Sequence, residues 1–197
     1  MKTLLAELKT SLLLTLVLVV LLCGAYPLAV WAGAQVLFPA KANGSLLAGP
    51  DGTVRGSALL AQNFTNARYF QPRPSAAGTG YDATNSGGTN LGPTSRKLAD
   101  NIRSAVAACR SANGLKDTDS VPADAVTSSG SGLDPHISLA NAELQASRVA
   151  QVRGLPLAQV RALVDQNTDG QDLGILGEPG VNVLLLNLAL DQIPSGR

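Results

Sequence analysis

From Leu12 to Trp31 the chain is apolar almost without interruption, and no charged residue stands between Lys9 and Lys41. A helix needs about 20 apolar residues to cross the hydrocarbon of a bilayer, so this run predicts a transmembrane helix over residues 12–32. A cleaved secretory signal is the rival, with Ala32, Gly33 and Ala34 as its small-residue site. Signal cores usually run only about 7–15 residues, which this stretch exceeds. Lipidation at Cys23 is opposed by the bulky Leu22 ahead of it. Tyr26 and Trp31 suit an interfacial belt, and Pro27 is placed to kink the helix.

Beyond Ala42 the periods shorten. Two apolar stretches flank Pro50, Asp51 and Gly52, whose turn chemistry predicts a β-hairpin. From Phe64 to Ser95 glycine, proline, serine, threonine and asparagine dominate without period. A loop of that length in a compact domain is uncommon, and its aromatics argue against disorder. Tyr69, Phe70 and Arg73 are therefore expected to contact a partner chain. A helix follows to Gly114, capped by Ser95 or Thr94, with Leu98, Ile102, Ala105, Val106 and Cys109 on its buried face. That places Cys109 in the core as a small apolar residue. Residues 121–134 read as a strand and turn. A second helix runs from about Pro135 to Gly154, capped by Asp134 or else by Ser138, and buries Leu139, Ala142, Ala146, Val149 and Ala150. A third opens at Pro156 with Leu157, Val160, Leu163 and Val164 inward. GVNVLLLNLALDQIP reads as a central strand, apolar on both faces. The fold class is α+β: one N-terminal transmembrane helix followed by a single soluble α+β domain over residues 38–197.

Charge orients this arrangement. Lys2, Lys9 and the amino terminus outweigh Glu7 on the short side, which puts residues 1–11 in the cytoplasm and the domain outside. With 15 basic and 14 acidic residues in 197, nothing draws the chain to nucleic acid. Its two cysteines, one within the span, build no disulfide framework.

The chemistry is sparse. None of the five lysines follows a glycine at the spacing of a Walker loop, so nucleotide hydrolysis by this chain alone is not expected. GTGYDA, residues 78–83, imitates a dinucleotide fingerprint but neither follows a strand nor opens a helix. His136, the single histidine, lies two residues from Asp134, which reads as a helix cap and a first-turn residue rather than part of a triad. One histidine and one soluble cysteine make a poor metal set. Ser86, Gly87 and Gly88 could present backbone donors to a phosphate, or form a turn leading through Pro93 into the helix.

Several segments in order, ANGSL (42–46), RGSALLAQNF (55–64), YFQPRPSA (69–76), SGGTNLGP (86–93), SGSGLD (129–134), Arg148 to Ala150 and VNVLLLNLAL (181–190), carry a resemblance over nearly the whole chain. The sequence resembles the C subunit of the Kdp potassium-transporting ATPase, the KdpC family. The resemblance implies a non-hydrolytic subunit of a bacterial inner-membrane complex, beside a potassium-binding channel-like subunit and a P-type ATPase subunit. It further implies a catalytic chaperone that raises the ATP affinity of the ATPase subunit, with Ser86, Gly87 and Gly88 as the nucleotide loop. Asn85 and Thr89 depart from the signature motif to which that loop is compared. A domain outside the cell cannot meet cytoplasmic ATP, so the flanking charges favour packing on the outer mouth of the potassium-binding subunit. The alternatives are a membrane-anchored envelope hydrolase using His136, and a processed binding protein beginning near Gln35.

Overall fold

The computed structural model describes residues 2–49 and 51–193 and divides the chain into two units, residues 1–46 and 47–197. In the first, α1 (Lys2–Val19) passes through a π-helical segment, Val20–Ala25, into α2 (Tyr26–Leu37), and α3 (Pro39–Ala42) follows. The 35 residues Thr3–Leu37 form one helix long and apolar enough to cross a membrane. At 1.5 Å per residue it measures about 52 Å, more than the roughly 30 Å of hydrocarbon, so it extends past the predicted span at both ends. The π segment has a local cause in Pro27, which lacks an N–H and whose ring crowds the carbonyl four residues back. One residue earlier, the Tyr26 N–H donates to Leu21, five residues back. Near the cytoplasmic flank expected from charge, Thr10 and Ser11 donate their hydroxyls to the Ala6 and Glu7 carbonyls and so need no other partner.

The predicted hairpin, β1 (Leu46–Ala48) and β2 (Val54–Ser57), begins at the last residue of the first unit and belongs otherwise to the second. Asp51 fixes its turn by accepting from the Thr53 N–H and hydroxyl; Pro50 lies outside the described residues. As expected, no helix or strand occurs from residue 64 to 95, and the second hairpin strand ends at Ser57, before Ala58, Leu59 and Leu60. The next helix, α4 (Arg96–Asn113), takes the Ser95 cap and ends on left-handed Gly114. Its apolar face is only half-buried, so Cys109 is no core residue: it lines a cleft instead.

Three expectations need correction. Residues 123–125 form a single 3-10 turn rather than a strand. The second helix, α5 (Leu139–Arg153), begins not at Pro135 but at Ser138, the second of the two caps expected, because His136–Ile137 is drawn off as strand β3. Asp134 therefore caps no helix, and Leu139 is exposed while Ala142, Ala146, Val149 and Ala150 are buried. After α6 (Leu157–Gln166), which opens at Pro156 and buries Val160 and Val164, come β4 (Thr168–Asp169) and β5 (Gly180–Asn182). The sheet order is β3-β5-β4, antiparallel throughout, with Val181 opposite both Ile137 and Thr168. Strand β5 is central, as expected, but lasts three residues. Asn182 then accepts from the Leu185 N–H and caps α7 (Val183–Asp191). The Leu-rich run is a helix wrapped in core, since leucine and alanine favour helix and a buried helix is apolar all round. Around Phe70, the core joins α5, α6, α7 and the central strand.

Candidate functional site

The segment from Arg68 to Arg73 has no ladder to satisfy its backbone, so side chains of α5 and α7 do so. Asn187 donates to the Phe70 carbonyl and accepts from the Phe70 N–H, both at 2.9 Å, which mimics a strand partner. Gln145 does the same for Gln71, accepting at 2.8 Å and donating at 3.0 Å. Arg148 donates to the carbonyls of Ala67 and Tyr69, to Gln145 and to Asn113 of α4, and burial pushes its pKa down. Arg153 donates to the carbonyls of Arg68 and Leu190 and pairs with Asp191 at 2.8 Å. In the sequence Arg148 and Asn187 stand out only within segments that carry a resemblance, and none of these residues is assigned a structural role there. The signal was present: Asn141, Gln145 and Arg148 recur at helical spacing beside Ala142, Ala146 and Val149.

The residues expected to meet a partner chain are used within the domain. Phe70 is completely buried in the core, which corrects its assignment as a partner contact. The Tyr69 hydroxyl donates to Asp191 at 2.9 Å, its ring lies 5.0 Å below the Arg153 guanidinium, and burial, then Asp191, raises its pKa. Arg73 pairs with Asp134 at 3.0 Å and stands, half-buried, between two open clefts.

His136 is a strand residue, not a helix-start one. Its Nε2 is 2.8 Å from Asp169 and its Nδ1 is 3.7 Å from Asp134. Asp134 and then Asp169 raise its pKa; the nearer Asp169 counts for less because its carboxylate is 70% exposed and screened by water. The same contact with His136 holds Asp134 below the ordinary carboxylate range. Asp169 lies on β4 and His136 on β3, so the imidazole spans the sheet across Gly180 of β5, where a Cβ would come within 3.1 Å of the His136 Cβ. The Nε2 faces Asp169 at hydrogen-bond distance, while Asp134 accepts from the His136 backbone N–H at 3.0 Å and lies beyond hydrogen-bond reach of Nδ1; among the described residues no serine completes a triad with this pair, which reads as a sheet-bridging contact.

Ser86, Gly87 and Gly88 sit against the loop Ser129–Gly132. The Ser86 hydroxyl and the Gly87 N–H both donate to the Ser131 carbonyl, at 3.0 and 2.9 Å. Gly132, at φ +67°, lets the Gly87 carbonyl approach so closely that a Cβ there would lie 2.6 Å from it. Ser75 locks the same corner by donating to the Gly132 carbonyl and accepting from the N–H groups of Ala77 and Tyr81.

A cleft of about 410 Å³ lies between α4 and the 63–74 segment, lined by Phe64, Pro72, Pro74, Tyr81, Cys109 and Gln145 among others. Burial raises the Cys109 pKa, which keeps the thiol protonated and unreactive.

Comparison with known proteins follows the same line. Residues 8–192 match the family model KdpC, described as the K+-transporting ATPase, c chain. A potassium-transporting ATPase KdpC subunit of Rhodospirillum rubrum is 56% identical over 188 residues, 95% of this chain and 96% of that one. The corresponding subunits of Nitratidesulfovibrio vulgaris and Koribacter versatilis are 53% and 52% identical over 190 and 186 residues, covering 96% and 94% of this chain and 95% and 94% of theirs.

Proposed function

The chain belongs to the KdpC family of K+-transporting ATPase c chains, and from that premise we propose that it is a non-hydrolytic subunit acting on the outer face of the bacterial inner membrane. Residues 1–11 lie in the cytoplasm, residues 12–32 span the bilayer, and the domain from residue 38 packs on the potassium-binding, channel-like subunit beside the P-type ATPase subunit. Its work there is assembly and regulation of the pump. The flanking lysines support the orientation.

The observation that carries this reading is the closed seat of Ser86, Gly87 and Gly88. A phosphate-binding nest needs free, converging N–H groups, and the Gly87 N–H is already donated to Ser131. The stretch therefore serves as a packed connection in preference to the nucleotide loop that would raise ATP affinity. For that second role the Gly87 N–H would have to leave Ser131 and the domain would have to face the cytoplasm.

A single cysteine at the exposed Ser104 of α4, in a Cys23→Ser, Cys109→Ser background, tests the orientation with a membrane-impermeant maleimide. Labelling of intact cells is the expected result. Labelling only after the membrane is opened would overturn the outer-face reading and return Ser86, Gly87 and Gly88 to candidacy as an ATP contact.

A further inference from the structure

Strands β4 and β5 are joined by a loop, Gly170 to Pro179, that carries three large apolar residues away from any cover. Leu173 is 89% exposed, Ile175 78% and Leu176 57%. Apart from the adjacent pair Leu59 and Leu60, the last of them only 36% exposed, other exposed large apolar side chains of this unit stand singly, as on most protein surfaces; three within four positions do not.

The loop is a built object. Asp172 and Leu176 exchange N–H donations with each other's carbonyls, both at 2.9 Å, and the Gln171 side chain donates to the Gly177 carbonyl at 2.8 Å. Leu173, Gly174 and Gly177 adopt positive φ, so the tip turns sharply. Left-handed backbone at a leucine is costly, and here it points one of the largest apolar side chains into solvent. A tip ordered before binding loses little freedom on docking.

Charge selects the occupant. Between Arg161 and Arg197 the sequence holds no Lys, Arg or His, but it has Asp165, Asp169, Asp172, Glu178 and Asp191. Asp169 is answered by His136, which leaves Asp172 and Glu178, both exposed, flanking the apolar tip. Interfacial membrane segments use basic and aromatic residues beside their apolar ones, and anionic headgroups would repel this loop. An apolar socket rimmed by positive charge on another protein is complementary to it.

We propose that Gly170–Pro179 is a docking finger that seats Leu173, Ile175 and Leu176 in a basic-rimmed apolar socket on another subunit of the transport complex, an inference that rests on the accessory-subunit reading above. The test uses the full complex in native membranes, with p-benzoylphenylalanine replacing Leu173 and ultraviolet irradiation before detergent is added. An adduct with another subunit of the complex is expected. An adduct with phospholipid, with a second copy of this chain, or with nothing would overturn the proposal. In parallel, the complex is captured through a tag on the ATPase subunit. Wild-type chain should be retained, and the L173S/I175S variant should be depleted about ten-fold at unchanged membrane abundance. Loss of the wild-type chain from the capture would instead overturn the accessory-subunit reading, whereas equal retention of both chains would overturn only the finger. Because both side chains lie in water, the thermal midpoint of the variant should match wild type, which separates lost docking from misfolding.

Discussion

Asn187 offers the sharpest test of how the irregular segment is held. Its side chain is 1% exposed and satisfies both backbone groups of Phe70. Asn187→Leu keeps the volume roughly and leaves a buried N–H and a buried C=O unpaired, each costing about 1–3 kcal/mol. The sum, about 2–6 kcal/mol, should lower the thermal midpoint by about 2–4 °C per kcal/mol in a domain of this size. Near-ultraviolet circular dichroism of the full chain in detergent reads this directly. Asn187→Asp separates hydrogen bonding from volume. As a carboxylate it cannot donate to Phe70 and carries charge into a dry site, so its folded pKa rises above the ordinary value of about 3.9. Between the unfolded and folded pKa the folded state holds the extra proton, so stability relative to wild type falls as pH rises. Protonated, the side chain can again donate to the carbonyl and accept from the N–H. The Asp variant should approach wild type near pH 4 and fall well below it at pH 7. A drop under about 2 °C for the Leu variant, or equal losses for the Asp variant at both pH values, would refute the reasoning.

Three further outcomes are expected. His136→Ala should lose most relative to wild type below pH about 6.5; because the folded pKa is raised, the difference should shrink as pH climbs through it, as read from paired melting curves. Gly132→Ala combines left-handed backbone with a Cβ 2.6 Å from the Gly87 carbonyl, so it should destabilise by about 2 kcal/mol or more and speed proteolysis between residues 77 and 88. Arg148→Lys keeps the charge but cannot fork to Asn113, Ala67, Tyr69 and Gln145 together; a loss of about 3 kcal/mol in unfolding free energy, read from denaturant titration, is expected, with little rescue relative to Arg148→Met.

Helix ends were legible where a cap and a glycine bracket a clear period, as at Ser95 and Gly114 or Pro156. The long apolar helix was legible from its uncharged run, though it extends past residues 12–32 at both ends, and the hairpin was legible from its turn residues. Misreadings fell where tertiary pairing overrode local preference. Pro135 resembles a helix start, yet β5 takes His136–Ile137 as a sheet partner. The run after Asn182 is apolar on every side, a pattern that a central strand and a buried helix share. The role of Arg148, Gln145 and Asn187 was not legible because their partners are largely backbone groups of a distant loop, and backbone carries no letter in a sequence. The loop's aromatics promised contacts, correctly, but Phe70 finds them inside its own domain.

The clasp between Phe70 and Asn187 joins positions 117 residues apart, and the Tyr69–Asp191 bond spans 122. Such contacts form slowly because a long segment must close before any reward is collected. During synthesis, therefore, the 64–95 segment emerges long before the helix that completes it and must wait in water. Its glycine, serine, threonine and asparagine content keeps that waiting chain soluble. Helix α5 can take hold of Gln71, Ala67 and Tyr69 first, but the Phe70 backbone groups and the Tyr69 hydroxyl find their partners only when α7 arrives, so a nascent chain stalled before Asn187 would leave those groups to water.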